Sequence, residues 1–119
     1  MTRLAECQTS VSSDVVGQGT EVLTLDGEFD MSDAPELERR LSASSGPRQG
    51  GIVVDLRGVT FLDSTMLRVL VRAMAQAQEH GTRFDLIRPH SLVWRVFVLT
   101  GLSERFPNYS SIQEALAEA

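Results

Sequence analysis

The sequence predicts an α/β fold in which about four helices pack on a mixed, largely parallel central sheet of four to five strands. Three observations lead there. Residues 10 to 25 alternate loosely between polar and apolar side chains around Gly17-Gln18-Gly19, as a hairpin does. Ile52-Val53-Val54-Asp55-Leu56 is a nearly unbroken, largely β-branched run, the pattern of a strand covered on both faces. After residue 30, helix-like and strand-like periodicities take turns along the chain.

The elements follow in order. Ser10 to Val16 and Thr20 to Leu25 form the hairpin, and Gly27-Glu28-Phe29-Asp30 leads out of it. Ser32 or Asp33 can cap the next helix, Pro35 suits its first turn, and Ala34, Leu37 and Leu41 share one face. The Ser/Gly/Pro stretch from Ser42 to Gly51 breaks that helix and reads as a surface loop. Ile52 to Leu56 is the expected central strand. Asp63 or Ser64 can cap a helix over residues 64 to 80, with Leu67, Leu70, Val71, Met74 and Ala75 at three- and four-residue spacing and His80-Gly81 closing it. Arg83 to Arg88 gives another strand, ended by Pro89. Ser91 is expected to cap a very apolar helix from Leu92 to Leu99, which Gly101 stops. Phe106 to Tyr109 is at most a short edge strand, and Ser110 with Gln113, or Ser111 with Glu114, has capping-box spacing for a last helix.

A chain of 119 residues, 42% hydrophobic and 23% charged, fits one soluble globular domain with a single core, so residues 1–119 are expected to form one domain with 1–9 as a loosely ordered tail. The apolar runs are too short and too often charged to cross a bilayer, and Glu6 interrupts any secretory signal, which points to the cytoplasm. Cys7 is the single cysteine, with no metal-ligand spacing around it, and reads as an ordinary thiol. A net charge of -5 argues against nucleic acid as partner. All 11 basic residues are Arg, which excludes lysine chemistry such as a Walker-type phosphate lysine or a Schiff base. His80 and His90 are isolated at a helix end and a loop, where capping or solvation accounts for them. No Gly-x-Ser-x-Gly elbow and no dinucleotide glycine fingerprint is present. No cofactor is expected, and the reading is of a binding protein with no enzymatic activity.

In open α/β sheets functional loops gather beyond the carboxyl ends of the strands, and two loops here qualify, Asp26 to Ser32 and Arg57 to Thr65. The second places a carboxylate and two hydroxyls, Asp63-Ser64-Thr65, where a loop enters a helix. Helix N-termini receive phosphate groups well, but Asp, Ser and Thr are simply the preferred caps, so this segment alone is better explained by plain capping. The carboxylates Asp30 and Asp63 could hold a metal ion, though acidic loop residues more often act as solvated caps. The helix with Leu92, Val93, Trp94, Val96, Phe97, Val98 and Leu99 is apolar almost all round; the core explains part of this, and a partner or self-association surface could explain the excess.

The stretch Ile52-Val53-Val54-Asp55-Leu56-Arg57-Gly58-Val59-Thr60-Phe61-Leu62-Asp63-Ser64-Thr65 resembles the signature of STAS domains, the family that includes the bacterial anti-sigma factor antagonists. Upstream, Leu25-Asp26-Gly27-Glu28-Phe29-Asp30 is similar to the family's Gly-Glu-Leu-Asp strand, and Val98-Leu99-Thr100-Gly101-Leu102 to its Leu-Thr-Gly-Leu element. The likeness spans roughly residues 10 to 117 and implies the STAS fold. In the family's switch motif an Asp precedes two small hydroxyl residues and a Gly, and the second hydroxyl accepts phosphate. By that correspondence Thr65 is the acceptor, with Ser64 as alternative, Asp63 the motif Asp and Asp30 the acidic residue of the neighbouring loop. Met66 stands where the family usually has Gly and is expected to add bulk on the same switch surface.

The resemblance implies an anti-sigma factor antagonist. The unphosphorylated form would bind an anti-sigma factor that is a histidine-kinase-like, ATP-binding serine/threonine kinase and so release a sigma factor. That kinase would phosphorylate Thr65 and end the interaction, and a metal-dependent serine/threonine phosphatase would restore it. A homodimer is also open. Rival readings are a STAS scaffold or ligand-binding module that is never phosphorylated and, from another class, a small nucleotide-binding enzyme using the Asp30 and Asp63 edge.

Overall fold

The computed structural model describes residues 9–17, 19–44 and 50–118. The expected N-terminal tail thus falls almost wholly outside the described residues, as do Cys7, Gln18 of the hairpin turn and residues 45–49 of the Ser/Gly/Pro loop.

Alternation in the first segment produces an antiparallel hairpin, β1 (Ser10–Val16) with β2 (Thr20–Phe29). A 3-10 turn (Met31–Asp33) leads into α1 (Ala34–Ser44), followed by β3 (Ile52–Leu62) and α2 (Ser64–Glu79). Then come β4 (Phe84–Ile87), α3 (Ser91–Leu99), a second 3-10 turn (Leu102–Glu104), β5 (Asn108–Tyr109) and α4 (Ile112–Ala117). The sheet runs in the order β1-β2-β3-β4-β5, with β1 antiparallel and all other pairs parallel. The mixed α/β architecture expected from the sequence is the one observed.

Successive residues of the inner strands serve two cores, because strand side chains alternate between faces. Leu23, Leu25, Ile52, Val54, Leu56 and Leu86 meet α1, α2 and α3 on one face. Val22, Val53 and Ile87 face the other side, where Ala115 and Ile112 of α4 cover them. The β-branched run of β3 is therefore buried on both faces. Its one charged residue, Asp55, is held by a bidentate pair with Arg57, at 3.0 Å to Nε and 2.8 Å to Nη2.

Several boundaries differ from the sequence reading. β2 continues to Phe29 instead of ending at Leu25, and β3 continues to Leu62 instead of ending near Leu56. The two extensions pair with each other across register shifts between Thr24 and Asp26 and between Gly27 and Glu28. Gly27 supplies a positive φ of 112° there. Gly58 admits the Asp26 carboxylate where a Cβ would overlap it. The buried stripe of α2 is Met66, Leu67, Val69, Leu70, Ala73, Met74 and Ala77; Val71 is half-buried and Ala75 exposed. The stripe is thus rotated from the expected one, because Ala73 and Ala77, weak hydrophobic signals in sequence, lie along its centre against the sheet. α3 is N-capped by His90 without a side-chain bond, and Ser91 is its first residue instead of its cap. At α4, Ser111 accepts from Glu114 N at 3.1 Å, while the Glu114 carboxylate reaches Ser110 N at 2.6 Å. Both candidate serines therefore share the cap.

Candidate functional site

The parallel register places Phe29 beside Leu62, and the Asp63 amide donates to the Phe29 carbonyl at 3.2 Å. The residues that follow, Asp30 and Asp63, consequently leave the sheet side by side at the carboxyl edge of β2 and β3. Asp30 closes a turn that the sequence reading assigned to Ser32 or Asp33. Its Oδ1 accepts from Ser32 N at 2.9 Å and Ser32 Oγ at 2.6 Å, and its own amide donates to Asp33 Oδ2 at 3.0 Å. This is a reciprocal capping box with Asp in both roles. The spacing Asp30-x-x-Asp33 carried that signal in the sequence. The Ser32 hydroxyl, followed by the Ser32 amide, holds the Asp30 carboxyl below the ordinary carboxylate range.

Asp63 caps α2: its Oδ1 accepts from Met66 N at 3.0 Å. Ser64 and Thr65 occupy the first two helical positions, Ser64 exposed and Thr65 half-buried. Because Asp63 supplies the cap, neither hydroxyl is consumed by it, and neither takes part in a hydrogen bond among the described residues. Met66 departs from the sequence reading. Its side chain is fully buried in the main core, so it adds no bulk to the exposed edge. The helical period explains this, since Met66 is the first residue of the stripe continued by Leu70, Ala73 and Ala77. Only its backbone amide belongs to the site.

Two residues at this edge escaped the sequence reading. Met31, in the 3-10 turn after Asp30, is 65% exposed, and Phe61, near the end of β3, is 49% exposed. Extending β3 to Leu62 would have revealed Phe61, because Leu62 faces the core and its strand neighbour must then face away. Other expected candidates lie apart. His80 Nδ1 sits 2.9 Å from the Gln76 carbonyl at the end of α2, a capping contact. On α3, Val93 and Phe97 are buried and Trp94 stacks on Phe97 at 4.8 Å, while Leu92 and Leu99 are about three-quarters exposed. Among the described residues no three His, Cys, Asp or Glu side chains gather as a metal site. A cavity of about 420 Å³ between α1 and α2, lined by residues such as Leu41, Val69 and Arg72, includes none of the edge residues. No helix among the described residues is long and apolar enough to cross a membrane.

A five-stranded mixed sheet with helices on both faces and an Asp-Ser-Thr helix start is the arrangement of a STAS domain. The model of the family described as "Mlab, STAS domain" matches residues 14–113, and the chain belongs to the STAS family. Among curated proteins it is 30% identical over 98 residues to the anti-sigma-F factor antagonist RsfB of Mycobacterium tuberculosis, covering 82% of this chain and 80% of that protein. It is 28% identical over 78 residues to the anti-sigma-B factor antagonist of Staphylococcus aureus, covering 66% and 72%. Among solved structures, an anti-sigma factor antagonist from Mycobacterium paratuberculosis superimposes with a TM-score of 0.79 at 30% identity, covering 93% of each chain.

Proposed function

We propose that this chain is an anti-sigma factor antagonist, working in the cytoplasm as one STAS module, whose binding is switched off by phosphorylation at Thr65, with Ser64 as the alternative acceptor. The observation that carries the reading is the division of labour at the start of α2. Asp63 does the capping, so the two hydroxyls beside it stand unengaged at a helix N-terminus. Membership of the STAS family and the names of its relatives support the same role. The unphosphorylated edge binds an ATP-dependent anti-sigma factor kinase and displaces a sigma factor. A phosphate at Thr65 adds a charge of about -1.5 to -2 beside Asp63 and Asp30. The helix N-terminus offsets part of that repulsion, so the fold survives, whereas an interface that must desolvate the phosphate does not. A metal-dependent phosphatase reverses the step.

The test is incubation with ATP, Mg²⁺ and the purified anti-sigma factor kinases of the source genome, followed by mass-spectrometric mapping of the phosphate. Thr65→Ala should abolish incorporation and retain binding, Ser64→Ala should leave both intact, and Thr65→Asp should weaken binding with unchanged circular dichroism. Equal binding by Thr65→Asp and Thr65→Ala, without phosphate incorporation into the unmutated chain, would leave Thr65 a plain helix residue and favour a constitutive STAS scaffold.

A further inference from the structure

The charge of this protein is unevenly placed. Residues 26–33 and 58–65, the two segments that meet at the carboxyl edge of β2 and β3, hold five of the 16 acidic residues and none of the 11 arginines. The remainder of the chain therefore carries 11 acids against 11 arginines, and the whole net charge of -5 resides on those two segments. Within this field stand two exposed apolar side chains, Met31 and Phe61. Phe61 lies beside Glu28 in the parallel register and, with Leu62 turned into the core, projects from the face opposite α2. The cover on that face comes from α4, whose apolar contacts are with Val22, Val53 and Ile87, nearer the start of β2 and β3.

Resting on the antagonist reading above, we propose that Met31 and Phe61 are the apolar anchors of the docking surface, and that the partner presents an apolar cleft rimmed by Arg or Lys. Aromatic and Met side chains are enriched at interfaces and a few residues buried near the interface centre carry most of the binding energy, while surrounding charges chiefly steer the encounter. The two contributions then divide between rate constants: the anchors set dissociation and the acidic field sets association. A phosphate at Thr65 joins the field but adds a strongly hydrated group at the same carboxyl edge of the sheet. Its desolvation outweighs its attraction to the cationic rim, so modification acts by speeding dissociation.

Binding kinetics of the full chain on the purified ATP-binding anti-sigma factor kinase of the same genome test this. Phe61→Ala should raise the dissociation rate about tenfold and Met31→Ala severalfold, with association changed by less than about twofold and unfolding temperatures close to wild type. Glu28→Gln should slow association at low ionic strength and flatten its salt dependence. Leu99→Ala, an exposed apolar residue of α3 outside the acidic field, should bind as wild type. If wild type binds while Phe61→Ala and Met31→Ala dissociate at its rate, the anchors are misassigned and the antagonist reading stands. Association that does not slow with added salt refutes the cationic rim, and weakening by Leu99→Ala alone moves the docking surface to α3. If the unmutated chain binds no such kinase, the antagonist reading falls and this inference falls with it.

Discussion

Replacing Asp63 by Ala removes the side-chain oxygen that accepts from the Met66 amide at 3.0 Å while leaving the Asp63 backbone bond to Phe29 in place. Loss of an N-cap of this kind costs about 1 kcal/mol, within a range of about 0.5–2. For 119 residues, an unfolding entropy of about 2.1 cal/mol/K per residue gives roughly 0.25 kcal/mol/K, so the melting temperature should fall by about 4 °C. Asp63→Asn keeps a capping oxygen and loses only the attraction of a charge to the helix end, so it should melt between wild type and Asp63→Ala. Thermal unfolding by circular dichroism gives the order of the three proteins. Amide hydrogen exchange at Met66 gives the location, since only the Ala variant should open there faster. Equal melting of all three, with unchanged exchange at Met66, would refute the assignment of Asp63 as the cap and with it the account of why Ser64 and Thr65 are left unengaged.

Three further outcomes are expected. Leu70, fully buried on α2, should cost about 2–5 kcal/mol when replaced by Ala; denaturant unfolding measures it, and a near-neutral value would mean the helical face is misplaced. Gly58→Ala drives a Cβ into the Asp26 carboxylate and should destabilise by roughly 1–3 kcal/mol; combined with Asp26→Ala it should recover part of that loss, and strict additivity in the double-mutant cycle would sink the explanation. Asp30 is held below the ordinary carboxylate value by Ser32. In the folded chain it therefore keeps its charge at a pH where the unfolded chain has taken up a proton. Its stabilisation is fully present above the ordinary carboxylate range and is lost as pH falls through the lowered value. An NMR titration should find that lowered value, and Ser32→Ala should move it back up.

The parts of this fold visible in the sequence are those where hydrophobic pattern and turn chemistry agree. Ile52 to Leu56 announced a strand buried on both faces because nearly every residue there is apolar. Asp63 was one of two named caps for the helix that follows. Residues 27–29 and 57–62 were opaque because their strands persist through register shifts, and Gly27 and Gly58, which lie in segments read as loops, serve inside a ladder. Met66 was placed on the surface by analogy with a family Gly, whereas its own position in the helical period assigns it to the core. Met31 and Phe61 could not stand out while their segments were read as loops, because an exposed apolar residue becomes conspicuous only once its neighbours are known to be buried.

The carboxyl edge of β2 and β3 is also a product of long-range closure. β2 and β3 join residues 31 to 33 positions apart, from Glu21 with Ile52 to Phe29 with Leu62. Loop-closure entropy makes such non-local pairing slow compared with the adjacent hairpin of β1 and β2. Until that pairing is complete, Thr65 has Asp63 nearby in the chain but neither Asp30 nor Met31. An enzyme or partner that recognises the edge as a whole therefore meets no such surface on a nascent chain, on an excised peptide of residues 58–70, or on a misfolded copy. Recognition of this edge is at the same time a check that the domain has folded.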